Sequence, residues 1–254
     1  EIAYKLNYSV NNGTFKQSIG SAYPSLTGSG VYAVKDCFGT AKSYTNNEAD
    51  ALTSDHKYDT NGKCSVCGIK SDGIYYIANA NDLFNFATYV NASDSSANAK
   101  LTADIDLANK EWTSIGSERR PFTGTFDGQG YTIKNYKQTI RIPGSNGFFG
   151  MIQDATVKNF TISGQATTAC VYNGGNIGVV GMAKAVNAYC YITNVHSKVN
   201  FTMGDNYTKG ATGGIVGNAV GKSSSPWNYV IIERCTYSGK MNLGNQYCDC
   251  TGGI

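Results

Sequence analysis

The sequence predicts an all-β protein, most of it a β-helix, and three observations carry that expectation. Thirty glycines stand against four prolines, a composition of short strands joined by many turns. A Gly-apolar-apolar-Gly element occurs as Gly147-Phe148-Phe149-Gly150, Gly178-Val179-Val180-Gly181 and Gly214-Ile215-Val216-Gly217, then begins again at Gly253-Ile254, at intervals of 31, 36 and 39 residues. Between these copies lies a second element: Ile133-Lys134-Asn135-Tyr136, Val157-Lys158-Asn159-Phe160, Ile192-Thr193-Asn194-Val195 and Ile232-Glu233-Arg234-Cys235. Self-similarity at such periods marks a solenoid. Strand-sized apolar pieces without a helical period make it a β-helix, in which stacked turns form the core.

The first 72 residues read as a small β and Cys/His module. Large side chains alternate through Tyr4, Leu6, Tyr8 and Val10, the period of a half-buried strand. Asn12-Gly13 suits a tight hairpin turn, with a return strand starting at Thr14-Phe15. From Cys37 to Lys70 the chain turns polar and irregular, and Ser71-Asp72-Gly73 marks a boundary. In the second part, residues 73–254, Leu83, Phe86, Ala87 and Val90 share one face of a helix over 81–90 capped by Asn81. That helix would cover the open first turn of the stack.

Within the second element an apolar residue sits two before and one after the central position in every copy. This change of parity marks a corner, where Asn readily takes a left-handed backbone; Arg234 departs from the pattern. In the same frame Cys190 and Cys235 point inward as small hydrophobes.

Several function classes are disfavoured. The net charge is +3, charged residues are 15% of the chain, and Arg119-Arg120 is its sole pair of adjacent arginines, so no nucleic-acid partner is expected. No apolar run is long enough to span a membrane. No basic start precedes an apolar stretch, so any signal peptide is expected to have been removed. Gly217-Asn218-Ala219-Val220-Gly221-Lys222-Ser223 approaches a phosphate loop with the wrong spacing. Only two histidines, His56 and His196, exist, and no nucleophile elbow occurs.

The run Phe122-Thr123-Gly124-Thr125-Phe126-Asp127-Gly128-Gln129-Gly130-Tyr131-Thr132-Ile133, preceded by Leu101 to Leu107, resembles the opening of right-handed parallel β-helices with GLUG-motif repeats. Gly213-Gly214-Ile215-Val216-Gly217 resembles the GLUG element itself. The resemblance implies a right-handed solenoid in a secreted or cell-surface bacterial protein, often adhesin-like. It also implies, as one alternative, an accessory module of a larger secreted peptidase. It supplies no catalytic residues.

The sharpest chemical signal is Cys64-Ser65-Val66-Cys67-Gly68. Two thiolates two residues apart, followed by glycine, can grip one Zn²⁺ from a tight turn, with His56 and Cys37 completing a Cys₃His set. A disulfide, or free thiols, is the alternative reading. The segment His56 to Gly68 also resembles a short Cys/His element beside repeats in clostridial surface proteins. Asp104 and Asp106, two apart on a strand, face one side; solvent-facing acids around buried Ile105 and Leu107 are preferred over an acid–base pair. Tyr207, Trp227, Tyr229 and Tyr247 lie in or beside the longer insertions, where aromatic faces can stack on sugar rings. The expectation is a non-enzymatic module for adhesion or ligand binding, its partner a host or microbial surface ligand, glycan or protein. The alternative is a β-helix polysaccharide lyase or glycosidase. Because the fourth repeat begins at Gly253, a truncated solenoid is expected, with end-to-end self-association through the C-terminal turn.

Overall fold

The computed structural model describes residues 1–10, 15–17, 21–38, 41–46, 56–140, 144–168, 175–203, 210–242 and 250–253. The protein is mostly β with parallel sheets, and two helices occur among the described residues. It divides into two compact units, Glu1–Cys67 and Gly68–Ile254, where the sequence places the boundary after residue 72.

The small unit corrects the expected N-terminal hairpin. Helix α1 runs over Ile2–Val10, although the alternation of Tyr4, Leu6, Tyr8 and Val10 predicts a strand. Contacts with the next segment decide the matter. Asn7 Nδ2 donates to the Phe15 carbonyl and Asn7 Oδ1 accepts from the Phe15 N–H, both at 2.8 Å. The Ala3 N–H donates to Gln17 Oε1 at 3.2 Å. These partners need Ala3 and Asn7 on one side, which a helix provides at i, i+4 and a strand also provides, but only the helix satisfies the intervening backbone internally. The Asn12-Gly13 turn lies outside the described residues. Strands β1 (Tyr32–Lys35) and β2 (Ala41–Thr45) then form an antiparallel pair.

In the large unit a ten-stranded sheet orders β3 (Ile74–Ile77), β4 (Asn98–Leu101), β6 (Thr125–Asp127), β9 (Thr156–Thr168), β11 (Cys190–Thr202) and β14 (Val230–Glu233) side by side. The short strands β5 (Ile105–Asp106), β15 (Thr236–Tyr237) and β16 (Met241–Asn242), with the longer β7 (Thr132–Ile140), complete it. A second sheet aligns β8 (Phe149–Gln153), β10 (Val180–Lys184) and β13 (Val216–Val220). Strand β12 (Ala211–Gly213) pairs with β17 (Cys250–Gly252). All these pairings are parallel. Their register reproduces the sequence repeats: Phe149, Val180 and Val216 are neighbours across three strands, and Gly252 lies opposite Gly213.

The corners appear as the sequence predicts. Asn135, Asn159, Asn194 and Arg234 all have positive φ, between 52° and 60°. In β11 the buried residues step from Ile192 to Val195 and then alternate through Ser197, Val199 and Phe201. The asparagine side chains bond from layer to layer: Asn194 Nδ2 to Asn159 Oδ1 at 3.1 Å, and Asn159 Nδ2 to Asp127 Oδ1 at 3.0 Å. The Cys190 column is mixed, since Cys190 is buried while Tyr131 is exposed; Cys235 is only half-buried, its thiol turned to the carbonyls of Ile192 and Glu233.

The second helix, α2 (Ala80–Ala92), buries Leu83, Phe86, Ala87, Tyr89 and Val90. Its cap is Asn79, not Asn81: the Asn79 side chain accepts from the Asp82 N–H. Phe86 meets Tyr75, Phe122 and Phe126 at ring separations of 5.3 to 6.1 Å, joining a buried cluster with Phe148, Phe149 and Phe160. At Gly164, φ is +148° and a Cβ would lie 2.0 Å from the Tyr136 carbonyl oxygen, so close strand approach there requires glycine.

Replacing Asn159 by Val should destabilise the large unit by about 1–3 kcal/mol, because a β-branched residue resists the left-handed corner and both interlayer bonds vanish. Asn159→Gly should cost less. Urea unfolding of the two variants checks the order; equal losses would mean that backbone conformation is not what Asn159 supplies.

Candidate metal centre

The four residues singled out by the Cys/His spacing converge within the small unit. One ligand atom from each of Cys37, His56, Cys64 and Cys67 lies within 4.8 Å of every other. Cys37 Sγ is 3.8 Å from Cys64 Sγ, and Cys67 Sγ is 3.3 Å from His56 Nδ1. Cys64 and Cys67 are buried; Cys37 and His56 are half-buried.

Local structure explains the convergence. Cys37 follows β1 on a turn in which the Asp36 carboxylate accepts from the Phe38 N–H at 3.0 Å and pairs with Lys42 at 3.2 Å. The stretch from Lys57 to Ser65 folds back on itself: Tyr58 bridges Cys64, and the Ser65 N–H donates to the Lys57 carbonyl. Its tip is closed by Asp59, whose carboxylate accepts from the Asn61 and Lys63 N–H groups, with Gly62 at φ 68°. The reversal returns the chain beside His56, so Cys64 and Cys67 arrive next to the imidazole.

The electrostatics are asymmetric. Burial works against ionisation of Cys64, but the Cys67 and Val66 N–H groups, with the His56 ring and the Cys67 thiol, hold its thiol down at about 6. Burial and the neighbouring Cys67 and Cys64 push the Cys37 thiol well above its ordinary value. The group thus offers one ready thiolate and a set of soft donors. It can hold a metal ion.

The other candidates separate. Asp104 and Asp106 are exposed, and both serve local structure. Asp104 Oδ1 accepts from the Thr132 N–H, while Asp106 Oδ1 accepts from the Ala108 N–H and from Asn135 Nδ2. Trp227 and Tyr229 are exposed at 53% and 51%; Tyr207 and Tyr247 lie outside the described residues, as do Cys170 and Cys248. Sequence reading overlooks Tyr189 and Tyr191, which stand beside Tyr229 on the surface. It also overlooks the groove of about 550 Å³ that holds Lys100, Asp127 and Lys158. The signal for both was the strand register, which sets outward positions in columns.

No helix among the described residues is long and apolar enough to cross a membrane. The fold and site define a mostly β protein with parallel sheets and a metal-competent Cys₃His group. No family model, curated protein or solved structure matches the chain.

In metal-free, reduced protein the ultraviolet thiolate absorbance should show a step at about pH 6 that disappears in Cys64→Ser. Because the folded value lies below that of an unfolded thiol, the linked stabilisation is present above the unfolded range and is lost as pH falls through about 6. A single step near pH ~8.5, the ordinary thiol range, would show that the Cys67 and Val66 N–H groups do not hold the thiolate.

Proposed function

We propose that the chain is a non-enzymatic binding module, secreted or displayed on a bacterial surface, built as a right-handed parallel β-helix of GLUG type. Its small N-terminal unit is held by a structural Zn²⁺ on Cys37, His56, Cys64 and Cys67. The observation that carries the zinc assignment is the Cys37–Cys64 sulfur separation of 3.8 Å. Thiolates at about 2.3 Å from a tetrahedral Zn²⁺ lie about 3.8 Å apart, whereas a disulfide needs about 2.05 Å. Need supports the same reading. The buried apolar residues described in the small unit are Ala3, Val31, Ala33, Cys64 and Cys67, too few to order it by burial alone.

Repetition supports the β-helix: the Gly-apolar-apolar-Gly copies lie in register on adjacent parallel strands. The non-enzymatic reading rests on the carboxylates. The one same-face acid pair expected on a strand, Asp104 and Asp106, accepts backbone and asparagine hydrogen bonds. Neither faces a cavity described for the large unit. Strands β14, β15 and β16 pair with β11 on one side only among the described residues, an open edge suited to self-association.

Protein purified without chelator should carry one zinc per chain by elemental analysis, and Cys67→Ser should abolish it. Chelation should lower the melting temperature of the small unit, because binding free energy is folding free energy there. Metal-free protein, or a Cys37–Cys64 disulfide seen by mass spectrometry, would overturn the zinc assignment. Separately, polysaccharide turnover that is lost in Asp104→Asn would overturn the non-enzymatic reading.

A further inference from the structure

The register of the ten-stranded sheet sets two outward columns side by side. In one, Asn98, Thr125, Thr156, Tyr191 and Ile231 follow one another across adjacent strands. In the other, Lys100, Asp127, Lys158, Thr193 and Glu233 do the same. Successive residues in a column are separated by one strand spacing, about 4.8 Å, comparable with the length of one pyranose ring.

The two ends of this face differ in chemistry. At the first strands lies the groove of about 550 Å³ whose walls include Asp72, Asn98, Lys100, Thr125, Asp127 and Lys158. Its formal charges balance, two carboxylates against two lysines, but only one pair is in contact. Asp127 is nearly buried and pairs with Lys158 at 3.4 Å, and its carboxylate accepts from the Gln129 N–H and from Asn159. Asp72 accepts from the Tyr76 hydroxyl at 2.9 Å and from the Ile74 N–H, with Lys70 nearby. Lys100 has no ion pair among the described residues, and Asp72 is held by its hydrogen bonds from Tyr76 and Ile74, so the Lys100 ammonium is the cation of the groove left to meet a ligand.

Further along the same face stands an aromatic platform. The rings of Tyr189 and Tyr229 stack at 5.9 Å and 15°, and Tyr191 lies 6.1 Å from Tyr189. All three are more than a third exposed. The platform is rigidly seated. The Asp154 carboxylate gathers the N–H groups of Val186, Asn187 and Ala188 just before Tyr189, and buried Asn228, just before Tyr229, donates to the Val186 carbonyl at 2.9 Å. Rings fixed in this way lose little freedom on binding, and their phenol groups offer an apolar face with a polar tip.

We propose that this outward face binds a linear, carboxylate-bearing polysaccharide lying across the strands, with Lys100 taking a carboxylate and Tyr189, Tyr191 and Tyr229 stacking on sugar rings. The proposal rests on the reading of the chain as a non-enzymatic binding module, and it gives that module a site and a ligand class. An unpaired lysine amid hydroxyl and amide groups favours an acidic sugar over a neutral one. The column spacing lets a strand of sugars meet one polar side chain per ring.

The test is calorimetric titration of the full chain with polygalacturonate oligomers and, in parallel, with neutral cello-oligosaccharides. Binding of the acidic oligomers, weakened about tenfold by Tyr191→Ala or Tyr229→Ala and by added salt, is the expected result. Lys100→Gln should weaken the acidic ligand alone. Tyr23→Ala, a fully displayed tyrosine of the small unit at 83% exposure, should change nothing. Absent binding, equal affinity for the neutral oligomers, or full affinity in Tyr191→Ala and Lys100→Gln would overturn the proposal. Chromatography of the same samples for shortened oligomers keeps the two readings apart, since cleavage would refute the non-enzymatic module and not the location of the site.

Discussion

The large unit depends on the parallel pairing of Thr156–Thr168 with Cys190–Thr202, which runs in register from Tyr191 opposite Thr156 to Thr202 opposite Thr167. A parallel ladder cannot be closed by a tight hairpin and needs a long connection back to its starting edge. In this chain the connection is itself a strand of the second sheet, Val180–Lys184, flanked by loops. Successive strands therefore alternate between two sheets, and side chains of equal rank fall into columns. Val157, Ile192, Phe160 and Val195 are fully buried because alternation in one strand is repeated by the next. Register, more than the identity of any one residue, decides what is core.

Parallel stacking also explains the corners. At each one the chain must change direction without leaving a buried backbone group unpaired. A left-handed residue turns the strand by one position, which is why burial passes from Ile133 to Tyr136 and from Ile192 to Val195. Asparagine tolerates that backbone and carries an amide that bonds to the layer beside it. Arg234 adopts the same φ of 52° without such an amide, so the conformation is imposed by the stack and asparagine is its favoured occupant. Inside the stack, polar groups are admitted only with partners: buried Gln138 accepts from the Tyr136 hydroxyl and donates to Ser114, each at 2.8 Å.

What could be read from the sequence follows from the same physics. The repeats, the corner asparagines, the face of the Ala80–Ala92 helix and the Cys₃His set were legible, because each is a short pattern repeated or a chemistry with few alternatives. The helix at Ile2–Val10 was not. Its alternating Tyr4, Leu6 and Tyr8 satisfy the strand period, and the deciding bonds come from Phe15 and Gln17, outside any local window. Asn79 displaced Asn81 as cap for a similar reason, since two asparagines two apart offer the same side chain and only the bond to the Asp82 N–H distinguishes them. Tyr189 and Lys100 were invisible as partners in one surface. They are far apart in the chain and meet only through register.

The two units solve the problem of order by different means. The large one sets parallel strands side by side until Phe86, Phe122, Phe126, Phe148, Phe149 and Phe160 share one buried cluster, so dispersion and apolar burial grow with each added strand. The small one has no such repetition. It brings Cys37, His56 and the Cys64–Cys67 turn together at a point where a metal ion could be held, and the polar residues around them, Asp36 and Asp59, close turns. A point constraint leaves the rest of the small unit free to vary in sequence, whereas a repeated layer fixes its inward columns and frees only the outward ones. Among the described residues, the outward columns are the positions of the large unit open to ligand chemistry, because the inward ones are committed to holding neighbouring strands in register.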